Sequence, residues 1–163
     1  MSKKKVLLLM VLFLSAFSLS YSDENILTLE EVRGDFLLYV NAYRQQKKLP
    51  PLTLKYCGVT QAFANRQAEE DRYLSHEGFN ERASTIKKAF EQEISQNGHS
   101  LKSFSIRENC CWFSVCPDPA KKAFELFKRS SGHRSNMLQN NEYTSIGIAQ
   151  SGTGAFYFCQ IFF

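Results

Sequence analysis

The sequence predicts an α+β fold in which helices come first and strands last. Three observations carry this reading. Apolar residues recur at helical spacing from Val32 to Phe127, two β-rich runs close the chain, and the connections between segments are short. Short connections with segregated helices and strands favour α+β over a parallel βαβ sheet. At 163 residues the chain has room for one domain, and 44% hydrophobic with 13% aromatic residues excludes disorder.

Thr28 followed three residues later by Glu31 is a capping box, and behind it Val32, Phe36, Tyr39, Val40 and Tyr43 mark a first helix ending near Lys47 or Lys48. Leu49-Pro50-Pro51 breaks it, because proline cannot extend the hydrogen-bond ladder. A second helix is expected from Thr53 to Tyr73, with Ala62, Ala64 and Ala68 small enough for close packing, and a third from Arg82 to Gln92. Ser95 to Ser103 reads as a polar loop and Phe104 to Asn109 as a short strand, followed by a cysteine-rich turn. Asp118 caps a fourth helix with Pro119 in its first turn, carrying Ala120, Ala123, Phe124 and Phe127 and stopping near Ser130. Tyr143 to Ala149 and Ala155 to Phe163 then form a hairpin around Gln150-Ser151-Gly152-Thr153-Gly154.

The N-terminus is of another kind. Lys3, Lys4 and Lys5 precede the apolar run Val6 to Phe17 and the small residues Ser20 and Ser22, the pattern of a signal peptide over residues 1–22. Residues 23–163 are then the mature single domain, secreted or periplasmic, with no transmembrane segment. Those lysines supply three of the four net positive charges, so the mature chain is close to neutral and nucleic acid is not an expected partner. In an oxidising compartment Cys57, Cys110, Cys111, Cys116 and Cys159 are disulfide candidates. Adjacent Cys110 and Cys111 would make a strained bond, which favours Cys116 closing a short loop with one of them. A zinc-cysteine site lacks the second ligand pair it needs.

Six blocks in order resemble the CAP superfamily, also called the SCP domain, of cysteine-rich secretory proteins, antigen 5 and pathogenesis-related 1, and are most similar to its bacterial secreted branch. They are Asn41-Ala42-Tyr43-Arg44 with Leu49-Pro50-Pro51-Leu52; Leu74-Ser75-His76-Glu77-Gly78-Phe79; Arg107-Glu108-Asn109; Ser130 to Met137; Ile146-Gly147-Ile148-Ala149; and Tyr157 to Phe162. The resemblance implies a three-layer α-β-α sandwich around a three- or four-stranded antiparallel sheet, and a cleft centred on two histidines and acidic partners. Carried over, these are His76, His133 and Glu108. Arg107 stands where the family block has glycine, Phe127 where it has tryptophan, and Ser130 where a second acid would lie. Glu125 is out of helical phase with that acid.

Two neutral imidazoles can hold a divalent metal such as zinc, with Glu108 as a third ligand or as the group that orients a bound water. His76, Glu108 and His133 would then serve a metal-assisted hydrolase. His76-Glu77 does not extend to a metalloprotease HExxH motif, since Asn80 stands at the second histidine position. Ser131 and Ser135 lie in no nucleophile elbow. The favoured expectation assigns no catalytic residue and requires no cofactor: His76 and His133 hydrogen-bond to Glu108 and backbone, and the domain binds a protein partner or a small apolar ligand, a sterol or other lipid being allowed by the family resemblance. Asn41 and Arg44 are expected to pin the neighbouring loop, His99 to be solvated, Trp112 and Phe113 to form a contact surface, and the C-terminal aromatics to fill a sheet covered on both faces.

Overall fold

The computed structural model describes residues 27–71, 75–101 and 103–163. The expected signal peptide lies outside the described residues, and the second helix ends at Glu70 with Asp71 as a left-handed cap, short of the expected Tyr73, which itself lies outside them. Among the described residues five helices surround a four-stranded sheet. In chain order these are α1 (Leu29–Gln46), β1 (Thr53–Leu54), α2 (Cys57–Glu70), α3 (Phe79–Gln96), β2 (Arg107–Phe113), α4 (Pro119–Arg129), α5 (Ser131–Met137), β3 (Tyr143–Gln150) and β4 (Phe156–Phe162).

Helix α1 starts where the capping box places it. The Glu31 amide donates to Thr28 Oγ1 at 3.2 Å, and the Thr28 amide donates to Glu31 Oε2 at 2.7 Å. Its apolar stripe of Val32, Phe36, Val40 and Tyr43 packs in one cluster with Ala120, Ala123, Phe124 and Phe127 of α4. Phe36 meets Phe127 and Phe158 edge-on at 5.8 and 5.4 Å, tying both helices to the sheet. Each such fully buried ring contributes about 1.5–3 kcal/mol. Arg44 is wholly buried on this helix. It donates to the carbonyls of Pro50, Met137, Gln139 and Asn141 at 2.8–3.0 Å. Asn41 and Leu52 exchange two hydrogen bonds, at 2.7 and 3.0 Å. The two polar residues thus pin the proline loop to the helix, and Arg44 also holds the connection after α5.

The sheet order is β1-β3-β4-β2. β3 and β4 form the expected hairpin and β2 pairs antiparallel with β4, whereas β1 runs parallel to β3, so the sheet is mixed rather than antiparallel throughout. β4 is buried along its whole length. Its Phe156, Phe158 and Phe162 face the α1/α4 core, and its Cys159 and Ile161 join Phe63 of α2 and Ile86 of α3 in a second core. That two-sided burial makes the three layers. Helix α2 lies unusually close to the sheet, because a Cβ on Gly147 of β3 would fall 2.1 Å from the Thr60 carbonyl oxygen. Ala64 and Ala68 on the same helix pack against Ala149, Ala155 and Tyr157.

Four elements differ from expectation. Thr53 and Leu54 form a strand rather than the start of a helix, because the Thr53 and Lys55 amides find the Glu142 and Thr144 carbonyls at 2.9 Å. Tyr56 then turns the chain into α2 in the left-handed region (φ 54°), held by its ring stacked on Phe163 and its hydroxyl donating to Glu93 at 2.6 Å. Helix α3 is longer at both ends than the expected Arg82 to Gln92. β2 begins later than Phe104 and carries Cys110, Cys111, Trp112 and Phe113 in unbroken register with β4, so the cysteine-rich segment is strand and not turn. Helix α5 shows in the sequence only as a motif; Ser130 caps it by accepting from the His133 amide at 3.4 Å.

Candidate functional site

β2 is an edge strand, and its alternation sends Glu108, Cys110 and Trp112 to the α2/α3 face and Asn109, Cys111 and Phe113 to the α1/α4 face. Glu108 is the centre of the first group. Its side chain is 2% exposed. Arg82, one turn into α3, grips it as a fork, with Nε donating to Oε2 at 2.8 Å and Nη2 to Oε1 at 2.9 Å. His76 Nδ1 lies 2.9 Å from Oε1, and Cys159 Sγ 3.4 Å from Oε2. A two-pronged guanidinium–carboxylate pair combines charge neutralisation with two charge-assisted hydrogen bonds, each stronger than a bond between neutral groups. Arg82 is fixed in turn: Nη1 donates to the Glu77 carbonyl at 2.8 Å, and the guanidinium sits 3.6 Å from the Phe63 ring centroid, a cation–π contact.

His76 is more than half exposed and borders a cleft of about 390 Å³ lined by Gly78, Phe79, Asn80 and Glu81. Hydrogen bonding to Cys110, and next to Glu108, holds its imidazole up at about 9 against the opposing effect of partial burial. At neutral pH it is therefore an imidazolium. Cys110 is pushed the other way: a hydrogen bond from the Cys159 thiol lowers it, assisted by His76. Cys159, completely enclosed, is raised by burial. It has one S–H and two acceptors within reach, the Cys110 sulfur and Glu108.

The two expected histidines are not in equivalent surroundings. His76 is bonded to Glu108. His133, half-buried on α5, has its ring edge-on to Phe127 at 5.1 Å, and its carbonyl accepts from Asn109 Nδ2 at 2.9 Å. Its pKa is lowered by burial, and secondarily by the charge on His76. Asn136 of the same short helix donates to Asn109 Oδ1 at 2.9 Å, so α5 is stitched to the strand behind Glu108. The ligand atoms that cluster within 4.8 Å of one another belong to His76, Glu108 and Cys110. Among the described residues that cluster does not include His133. Phe127 fills the tryptophan position as a buried contact for His133, and Ser130, in place of the second acid, is a helix cap. Arg107 is plain strand, paired with Phe162.

Arg82 and the Cys110–Cys159 juxtaposition are absent from the expectations drawn from sequence. A signal for Arg82 exists: Phe79, Arg82, Ile86 and Phe90 follow helical spacing, and a guanidinium inside an apolar stripe demands a buried anion. None exists for the cysteine pair, whose members are far apart in the chain and meet only through strand register. All five cysteines are free thiols, so the expected loop closure by Cys116 is not formed. Of the expected contact surface, Trp112 is exposed and stacks beside Tyr157 at 6.5 Å, while Phe113 is buried in the α1/α4 core. His99 is exposed.

The cysteine-rich secretory protein family model, CAP, matches residues 37–162. No curated protein matches the sequence. Among solved structures, an outer surface protein from Borrelia burgdorferi superposes with a TM-score of 0.61 at 12% identity, over 83% of this chain and 94% of that one. An extracellular SCP-domain protein from Bacillus anthracis gives 0.56 at 16% identity, over 85% of this chain but 44% of its own length. At these identities the likeness is one of fold.

Proposed function

Because the chain belongs to the cysteine-rich secretory protein (CAP) family, we propose that it is an exported binding domain and not an enzyme, taking a protein partner or a small apolar ligand at the cleft beside His76. One observation supports this most: the acid an enzyme would need, Glu108, is sealed from solvent and spends its acceptors on Arg82, His76 and Cys159. A general base must be free to take a proton from a bound molecule. Glu108 instead locks α3 and the His76 segment to the sheet edge, leaving the exposed face of His76 with Phe79 and Asn80 as the recognition surface. Export rests on the expected signal peptide at residues 1–22 and is tested by sequencing the N-terminus of the released protein, which should begin at Asp23. Among the described residues no helix is long and apolar enough to cross a membrane.

The metal-assisted reading keeps one supporting feature, the grouping of His76, Glu108 and Cys110 ligand atoms. The residues do not fit a divalent ion as they stand. Arg82 already occupies the cationic position on Glu108, with both of its carboxylate oxygens engaged by the guanidinium. Calorimetric zinc titration of the mature protein, compared with His76→Ala and His133→Ala, separates the readings. The binding-domain reading expects no tight site. One zinc per chain, lost in His76→Ala, would overturn it in favour of a metal centre, and loss in His133→Ala as well would add the second histidine to its ligands; titration with a fluorescent sterol then addresses the apolar ligand directly.

A further inference from the structure

Cys110 of β2 and Cys159 of β4 are directly opposite in the antiparallel register. The kind of pair they form follows from the other side of β4. Tyr143 and Phe163 exchange both backbone hydrogen bonds at 2.9 and 3.1 Å, and the Ser151 amide donates to Ala155 at 2.8 Å. Odd-numbered residues of β4 therefore bond to β3, and even-numbered ones turn their amides and carbonyls toward β2. Cys110 opposite Cys159 is thus a pair without backbone hydrogen bonds of its own, the class in which Cα atoms approach to about 4.5 Å and side chains are nearest. That spacing lies inside the range a disulfide spans, about 4.4–6.8 Å. Both thiols point to the α2/α3 core, with Cys159 bonded to Glu108 and Cys110 clustered with His76. Cys111 and Cys116 pack against the opposite core, and Cys57 begins α2.

We propose that Cys110 and Cys159 are a redox-active pair that closes into a cross-strand disulfide by exchange with a small organic disulfide, and that closure resets the hydrogen bonding of Glu108 and His76. In the first step Cys110 gives its proton to water and the thiolate so formed attacks one sulfur of the co-reactant, whose S–S bond breaks as one thiolate leaves. Cys159 then loses its proton to water and attacks the Cys110 sulfur of the mixed disulfide, expelling the second thiolate. Two protein thiols are oxidised by two electrons, and the co-reactant is reduced to two thiols that take up the two protons. The disulfide has no S–H, so Glu108 Oε2 loses the Cys159 donor and keeps Arg82 Nε, and the Cys110 sulfur beside His76 becomes half of the new bond. Edge strand β2, held in the sheet until then by hydrogen bonds to β4, becomes covalently stapled. Both sulfurs are nearly enclosed, Cys110 at 4% and Cys159 at 1% exposure, so closure is slower than alkylation of an exposed thiol.

The test equilibrates reduced mature protein with oxidised glutathione, traps residual thiols with N-ethylmaleimide in denaturant, and maps linked peptides by tandem mass spectrometry. Chymotryptic cleavage at Trp112 and Phe113 separates Cys116 from the pair, and Cys111→Ser removes the remaining ambiguity. The expected result is a Cys110–Cys159 link retained in Cys111→Ser and absent in Cys159→Ser, with a melting temperature about 10 °C above that of the reduced protein. Both cysteines trapped as thiols in the wild type, or Cys159 or Cys110 captured by Cys57, Cys111 or Cys116 instead, overturns the proposal.

Discussion

Removing the charge of Glu108 while keeping its shape is the sharpest probe of this molecule. In Glu108→Gln the amide oxygen can still accept one of the two Arg82 bonds, but the amide nitrogen meets the second guanidinium N–H donor to donor. The cation, 8% exposed, is left uncompensated. Breaking one partner of a buried pair costs about 3–5 kcal/mol, because the surviving charge stays desolvated. The Glu77 carbonyl and the Phe63 ring still hold Arg82, so the lower end, about 3 kcal/mol, is expected, or roughly 10 °C in Tm for a domain of this size. Arg82→Met should cost a similar amount by stranding the carboxylate. The double variant should cost much less than the two single losses added together, since no charge is then stranded. Urea unfolding followed by far-ultraviolet circular dichroism measures all four proteins. A loss below about 1 kcal/mol in Glu108→Gln, the size of an exposed ion pair, or simple additivity in the double variant, would refute the view that this pair is the buried anchor of the site.

Other consequences can be checked in the same way. Gly147→Ala puts a methyl 2.1 Å from the Thr60 carbonyl oxygen, and since both atoms sit on backbone the helix must retreat; a loss of about 2–3 kcal/mol is expected in urea melts, and a neutral result would mean α2 is not seated as described. Arg44→Lys replaces a planar fork reaching four carbonyls with one ammonium, and should lower stability by about 2 kcal/mol, with hydrogen exchange rising first around Gln139 and Asn141. His76 has a folded-state pKa of about 9 against an ordinary 6.5, so the folded protein binds the proton more tightly. Its contribution is complete below about pH 6.5 and is lost as pH rises through 9. With the ring more than half exposed the effect should stay below about 1 kcal/mol, seen as a decline in Tm over that window that His76→Gln flattens; identical profiles for the two proteins would remove His76 from the network.

Local chemistry made several parts of this protein readable from its sequence. Thr28 with Glu31 and Asp118 with Pro119 mark helix starts because a cap needs only the residues of one turn, and both helices begin there. The aromatic run from Phe156 declares a strand buried on both faces, and Asn41 and Arg44 announce a pinned loop because each reaches a segment nearby in sequence or a motif recognisable on its own. His76 and Glu108 were legible through the family blocks that carry them. What required the tertiary structure depends on register and on approach between distant segments. Thr53 and Leu54 are strand only because β3 offers carbonyls alongside. The segment around Cys110 is strand only because β4 extends far enough to pair all seven residues of β2. The partnership of Arg82 with Glu108, the placing of Cys110 rather than His133 in the ligand cluster, and the meeting of Cys110 with Cys159 all follow from the same pairing. A shift of one residue in that register would send Glu108 and Cys110 to the opposite core, and no local preference in either strand encodes it.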